Sequence, residues 1–346
     1  MVNLIGVEEH WMLDHLDAAL GAMPLPARDP SLVLNHHGAG RARLSDLGEQ
    51  RISTMDEQGM TMQILSLAPP GTQGLDRASA VSLSRDVNDV AAAVVADRPD
   101  RFRALATLPL ADPRAAAAEL ERATQLGLVG AMVYGRTGDV LLDDARYDDL
   151  WAVAADLGQP VFIHPQIPPA AVRQASYSGL GDSAELAIAT FSWGWHLEAG
   201  TAALRLMARG ALDRHPGLQL VLGHWGEMLL FWHQRADSLA RVAGLERTIT
   251  EYLQQNVWIT ASGMLDPVMV QHALSITTID RILFSTDYPF QIPRSEDIAR
   301  FLATLPDDNA RTAITSENAQ HLFRIKEVAS DRGNLAGYTE PHPVLR

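Results

Sequence analysis

Short apolar runs alternate with amphipathic stretches along most of the chain. The runs at 4–7, 61–67, 103–108, 129–133, 161–164, 218–222, 257–260 and 281–285 have the length and composition of buried strands. Between and after them, the stretches 44–57, 77–97, 113–125, 147–156, 197–209, 227–241, 267–274 and 295–302 carry helical periodicity. Strand and helix in strict alternation, eight times over, predict an α/β (β/α)8 barrel, the TIM-barrel architecture. A doubly wound sheet is the alternative, but it needs a Gly-rich phosphate turn after an early strand, and none is present. Local signals agree with the alternation. Asp112-Pro113 and Asp266-Pro267 each place a capping carboxylate before a proline at the first helical position, and Gly127 is a natural helix stop.

Two segments exceed an ordinary connection: about 11–43, after strand 1, and about 165–195, after strand 5. Both are rich in Pro and Gly. Long segments inside a compact domain are commonly functional, and these are expected to overhang the site as lid and pocket elements. The pattern divides the chain into one barrel over 1–325 and a C-terminal tail over 326–346 that packs on the surface or on a neighbouring subunit.

The chemistry-bearing residues fall at strand tips, where a barrel of this kind keeps its active site. Glu8 and His10 close the first run. They are two apart, so both face one side of a strand, with Glu9 expected to face outward. His164 closes the fifth run, His224 follows the sixth, and Asp287 follows the last. A lone strand-end histidine is more often structural than a ligand. Four such tips between residues 8 and 287 instead predict a mononuclear metal site, with Glu8, His10 and His164 as candidate ligands and Asp287 as a ligand or an acid–base group. Carboxylate and imidazole suit Zn2+ or a harder ion such as Mn2+. Glycines flank His224 in Gly223-His224-Trp225-Gly226-Glu227, leaving room for close approach, and Glu227 is expected to open the following helix. For Glu227 the plain alternative is a favourable charge at a helix N-terminus, and for Arg235 a solvent-exposed helix charge.

Composition narrows the function. The chain has 346 residues, 47% of them hydrophobic, enough for a large core. A net charge of −14, with no basic stripe, argues against nucleic acid or an anionic membrane as the main partner. There is no cysteine, which removes disulfides, thiolate catalysis and Cys-type zinc sites from consideration. No signal-peptide pattern or membrane-length apolar run is present, so a cytoplasmic location is expected.

In sum, Glu-x-His on the first strand, histidines after strands 5 and 6 and an Asp after strand 8 resemble the amidohydrolase superfamily. The stretches 7–10, 88–89, 98–102, 204–207, 222–227 and 281–290 extend the likeness to its decarboxylase branch, the γ-resorcylate (2,6-dihydroxybenzoate) decarboxylases, across about residues 3–325. The resemblance implies one divalent ion on Glu8, His10, His164 and Asp287. It also implies an active-site role for His224, with Glu227 and Arg235 in support, and a homodimer or homotetramer. Met23, Phe290 and Trp225 are further candidate substrate contacts, beside Arg235. The chain departs from the resorcylate enzymes in a longer 164–195 segment and in tryptophans at 193, 195, 225 and 232, which points to a different or larger aromatic acid.

The expected reaction is non-oxidative decarboxylation of a hydroxylated aromatic acid. The substrate carboxylate and an ortho oxygen chelate the ion, Asp287 protonates the ring carbon, and no organic cofactor is needed. The competing expectation is hydrolysis of a lactone, amide or ring-fission product by metal-bound hydroxide.

Overall fold

The apolar runs fold as parallel strands covered on both sides. In the computed structural model, which describes residues 3–326, the strands are β1 (Ile5–Trp11), β2 (Met62–Leu67), β3 (Phe102–Ala104), β4 (Ala106–Thr107), β5 (Ala131–Tyr134), β6 (Val161–His164), β7 (Leu220–Leu222), β8 (Val257–Thr260) and β9 (Ile282–Leu283). β1, β2 and β3 pair in that order. β4, β5, β6, β7, β8 and β9 form a second parallel run. β3 and β4 are one predicted strand interrupted at Leu105, where the chain stops pairing with β2 and begins pairing with β5. The ring closes through backbone bonds next to β9: Val7 N–H donates to Phe284 C=O at 3.0 Å and Asp287 N–H to Glu8 C=O at 3.1 Å. The predicted tail lies outside the described residues, apart from Lys326.

The barrel helices are α1 (Glu49–Gln58), α2 (Arg77–Asp97), α3 (Pro113–Gln125), α4 (Asp148–Leu157), α5 (Gly194–Ala208), α6 (Leu229–Ala243), α7 (Pro267–Leu274) and α8 (Ser295–Leu302). The two Asp-Pro signals act as expected. Asp112 accepts from Ala115 N–H at 3.2 Å and Asp266 from Val268 N–H at 2.9 Å. Inside the ring, Ile5, Val7, Met62, Ile64, Met132, Phe162, Val221, Trp258 and Leu283 fill the centre, and Leu322, Phe323 and Ile325 pack beneath them. A larger apolar layer separates the strands from the helices. The interior is therefore solid, and the polar chemistry is left to the strand tips.

Both long segments are folded. The first contains short helices at Asp14–Gly21, Leu32–Asn35 and Gly40–Ser45, the second at Ala170–Ser176 and Asp182–Ala189. The helix expected to begin at Glu227 begins instead at Leu229. From His224 to Met228 all five residues have positive φ (47°, 57°, 85°, 51° and 70°), forming a left-handed turn in which only Gly226 is free of the Cβ penalty.

Candidate active site

A bulge in β1 sets the site up. Ile5 and Val7 point into the barrel, and strict alternation would send Glu9 in after them. The pairing with β2 instead gains one residue between Gly6 and Glu9, so Glu8 and His10 take the inward phase above Val7. His10 then faces Ser66 on β2, whose Oγ lies 3.1 Å from His10 Nδ1. Glu9, expected to face outward, does face away from the cavity but is fully buried. It accepts from Thr286 N–H at 2.8 Å and Thr286 Oγ1 at 2.6 Å, tying β1 to the turn that carries Asp287. Outward in a barrel means toward the helix layer rather than toward water, so an outward-facing Glu9 is buried. Burial pushes its carboxyl up to about 7, although the Thr286 bonds and Arg51 pull it back.

Glu8, His10 and His164 bring one ligand atom each within 4.8 Å of one another, and all three are buried. Asp287, on a turn with φ 63°, places Oδ1 3.2 Å from His10 Nε2 without hydrogen-bonding geometry. Glu8 Oε1 and His10 Nε2 have no hydrogen-bond partner although they are shielded from solvent. Buried polar atoms are rarely left so, and two of them grouped with His164, with Asp287 set against His10, fit a divalent cation. The surrounding bonds orient the donors. His164 Nδ1 donates to Pro165 C=O at 2.7 Å, which leaves Nε2 with its lone pair. Thr260 Oγ1 donates to Glu8 Oε2 at 3.1 Å, and Ser262 Oγ donates to the same oxygen. Burial holds His164 well below the usual imidazole range, with His10 adding to the effect. Burial also pushes Glu8 up; His224 works against this, Asp287 adds to it, and His10 and Ser262 pull it back.

A second cluster lies beside the first. Glu227 is buried and bridges two histidines: His224 Nδ1 to Glu227 Oε1 at 2.8 Å and His196 Nδ1 to Glu227 Oε2 at 2.9 Å. The His224 backbone N–H donates to Ser262 Oγ at 2.8 Å, linking the two clusters. Burial disfavours charge on His224, but Glu227, Glu8 and Asp287 outweigh it and hold the ring up to about 10. Burial likewise opposes a charged Glu227, yet the two histidines keep it below the ordinary carboxylate range.

Both clusters open on a cavity of about 380 Å3, within the range of small-molecule sites. His164, His196, His224, Ser262 and Asp287 form its polar part. Leu34, Phe191, Trp195, Met264 and Phe290 supply apolar walls. The Phe290 ring sits 5.5 Å from that of His10.

The remaining expected contacts lie elsewhere. Trp225 is buried and turned into the helix layer, its Nε1 donating to Met264 C=O at 2.9 Å and its ring 6.3 Å from Phe301. Met23 packs against the main core near Gly74. The folding of the first long segment gives Leu34 and His37 to the cavity in its place. Arg235 is exposed on α6 and does not line the cavity. Glu227 reaches the site through the left-handed turn rather than as the first residue of a helix. Two groups were missed. Thr260 and Ser262 follow the 257–260 run in the same way that His224 follows its own, so the strand-tip signal was there to be used. His196 sits on α5, just past the second long segment, where no strand marks it.

The family model described as Amidohydrolase matches residues 15–325. The γ-resorcylate decarboxylase of Rhizobium radiobacter is 35% identical over 94% of this chain and 99% of its own length. The crystal structure of 5-carboxyvanillate decarboxylase from Sphingomonas paucimobilis superposes with a TM-score of 0.85 at 30% identity, covering 94% of this chain and 100% of that one. A dihydroxybenzoic acid decarboxylase from Polaromonas sp., solved with bound manganese and the inhibitor 2-nitroresorcinol, gives a TM-score of 0.80 at 33% identity, over 94% of this chain and 98% of that one.

Proposed function

The chain belongs to the amidohydrolase family, in its decarboxylase branch, and on that premise we propose that it is a carboxy-lyase, a metal-dependent non-oxidative decarboxylase of a hydroxylated aromatic acid. The observation that carries this reading is the pair of buried, unpartnered ligand atoms, Glu8 Oε1 and His10 Nε2, at an aromatic-walled cavity. Glu8, His10, His164 and Asp287 would hold one Zn2+ or Mn2+ ion. When bound, that ion supplies Lewis-acid polarisation and a template for the substrate carboxylate and its neighbouring oxygen.

The chain's own residues do the rest. Phe290 packs against the ring from the His10 side. Asp287 delivers a proton to the carboxyl-bearing carbon. The bond from that carbon to the carboxylate then breaks, its electron pair restores the aromatic ring, and CO2 departs. His224, held by Glu227, positions Asp287 or the substrate. No organic cofactor enters this balance.

Arg235 shares α6 with Phe231 and Trp232, which are 56% and 65% exposed. A homodimer or homotetramer joined there would cover Arg235 at the subunit contact, and light scattering of the purified protein tests it. Among the described residues no helix is long and apolar enough to cross a membrane, and we place the enzyme in the cytoplasm, which fractionation of the native cells would check.

The functional test is CO2 release from a panel of hydroxybenzoates by Zn2+- or Mn2+-loaded protein. Metal-dependent CO2 release is the expected result. Incorporation of heavy oxygen from labelled water into a cleaved ester or amide, with no CO2, would replace this reading with a hydrolase.

A further inference from the structure

His196 has no part in the reaction described above, yet its position is tightly specified. Its Nε2 faces Phe191 C=O at 3.0 Å and its Nδ1 faces Glu227 Oε2 at 2.9 Å. A carbonyl oxygen has no hydrogen to give, and Glu227, held below the ordinary carboxylate range, has none either. Both His196 nitrogens therefore donate. His224 Nδ1 meets the other oxygen of the same carboxylate and must donate as well. Three of the four ring nitrogens are thus committed as N–H donors. The fourth, His224 Nε2, has no protein partner among the described residues, and His224 lines the cavity.

We propose that His196 is a positioning residue: it clamps Glu227 from the side opposite His224, so that His224 keeps its proton on Nδ1 and presents Nε2 to the substrate. Without the clamp, a single histidine would hold one oxygen of a carboxylate that is 1% exposed, and the other oxygen would be left unpaired. Glu227 would then be free to turn about its side chain, and the His224 Nδ1–H would lose its fixed acceptor. The backbone geometry makes the clamp more consequential. The left-handed turn from His224 to Met228 relies on outside contacts to persist, and the Glu227 bridge to α5 is one of them. Gly200 on α5 lets the two elements approach: a Cβ there would lie 2.4 Å from the Glu227 carbonyl oxygen.

The kinetic arm of the test rests on the decarboxylase reading, and the spectroscopic arm does not. Zn2+-loaded protein carrying 15N-labelled histidine is compared with His196→Leu and His196→Gln, the glutamine amide retaining an N–H for Glu227. In the parent protein the His224 Nδ1 proton should show a hydrogen-bonded shift and slow exchange with water. In His196→Leu that proton should exchange faster and lose its hydrogen-bonded shift, with kcat and kcat/KM falling together by about 10- to 100-fold at full zinc content, and His196→Gln should recover part of each. Should the leucine variant fail to fold, His196→Asn, polar but shorter, serves as the loss-of-contact variant. A folded, zinc-loaded His196→Leu variant that keeps the parent shift and exchange rate of the His224 Nδ1 proton overturns the proposal. If the parent protein releases no CO2 from any substrate offered, the decarboxylase reading fails, and the His224 Nδ1 proton still decides the role of His196.

Discussion

The cavity is flanked by two clusters of the same composition, each one glutamate and two histidines, and they use their hydrogen-bonding capacity in opposite ways. In Glu8, His10 and His164 the outer nitrogens are tied back, His10 Nδ1 near Ser66 and His164 Nδ1 to Pro165, while Glu8 Oε1 and His10 Nε2 have no partner. In His196, His224 and Glu227 the same atom types bond to one another, and the carboxylate is used at both oxygens. The first arrangement is built to receive a cation and the second to hold and orient a proton. Composition and proximity alone would call both metal sites, so the state of satisfaction of each donor is what separates them.

The comparison breaks most visibly at the first cluster. His10→Ala should leave the protein without bound metal and lower kcat/KM roughly 1,000-fold or more, the equivalent of several kcal/mol of Lewis-acid stabilisation. Elemental analysis alongside kinetics reads both. Glu227→Gln should spare the metal and cost about 10- to 100-fold in kcat, because it removes an orienting group rather than a ligand. Loss of metal from that variant would mean that the clusters are not separate in function.

A change that touches neither cluster's donors sharpens the contrast further. Gly6 lies beside Glu9, where a Cβ would come within 2.2 Å of Glu9 Oε1 and 2.5 Å of Met60 Cε. Glu9 is pinned by Thr286 and cannot swing away freely. Gly6→Ala should destabilise the fold by about 1–3 kcal/mol in chemical denaturation. It should also weaken metal binding, measured by competition with a chelator, because the bulge that turns Glu8 and His10 inward sits at this point.

The pattern of what could be read in advance follows the physics of each element. His164 closes a predicted strand that forms over the same residues, Val161–His164, because a short apolar run with a polar tip has one way to sit in a barrel. The i, i+2 spacing of Glu8 and His10 places them on one face. The bulge that decides which face is set by pairing with β2, which no local pattern contains. The left-handed turn at 224–228 contradicts the preferences of four of its five residues, each at about 1–2 kcal/mol, so only Gly226 hinted at it. His196 was invisible because α5 reaches the cavity by tertiary packing. Met23 lies off the cavity because the first long segment folds into three short helices, which its Pro- and Gly-rich sequence does not announce.

The smallest expected effect is a control at the far end of α5. Asp143 accepts from Arg205 at 2.7 and 2.9 Å and from Arg209 at 3.2 Å. Burial alone would raise its carboxyl, but the two guanidinium groups hold it below the ordinary value. A depressed folded-state value means that the pair's contribution is present above the unfolded value, near 3.9, and is lost as the pH falls through the folded one. Both arginines are largely exposed and screened. Asp143→Asn should therefore cost only about 1 kcal/mol at pH 7, and the difference from the parent should shrink as the pH falls below the unfolded value in matched denaturant titrations. Metal content and kcat should not change.

The separation of the clusters is tested most directly by locating the ion. A crystal grown with Mn2+, with anomalous scattering collected at the manganese edge, should show one peak per chain among Glu8, His10, His164 and Asp287 and none among His196, His224 and Glu227. A peak in the second cluster, or no peak in the first with Mn2+ supplied in excess, would contradict the account.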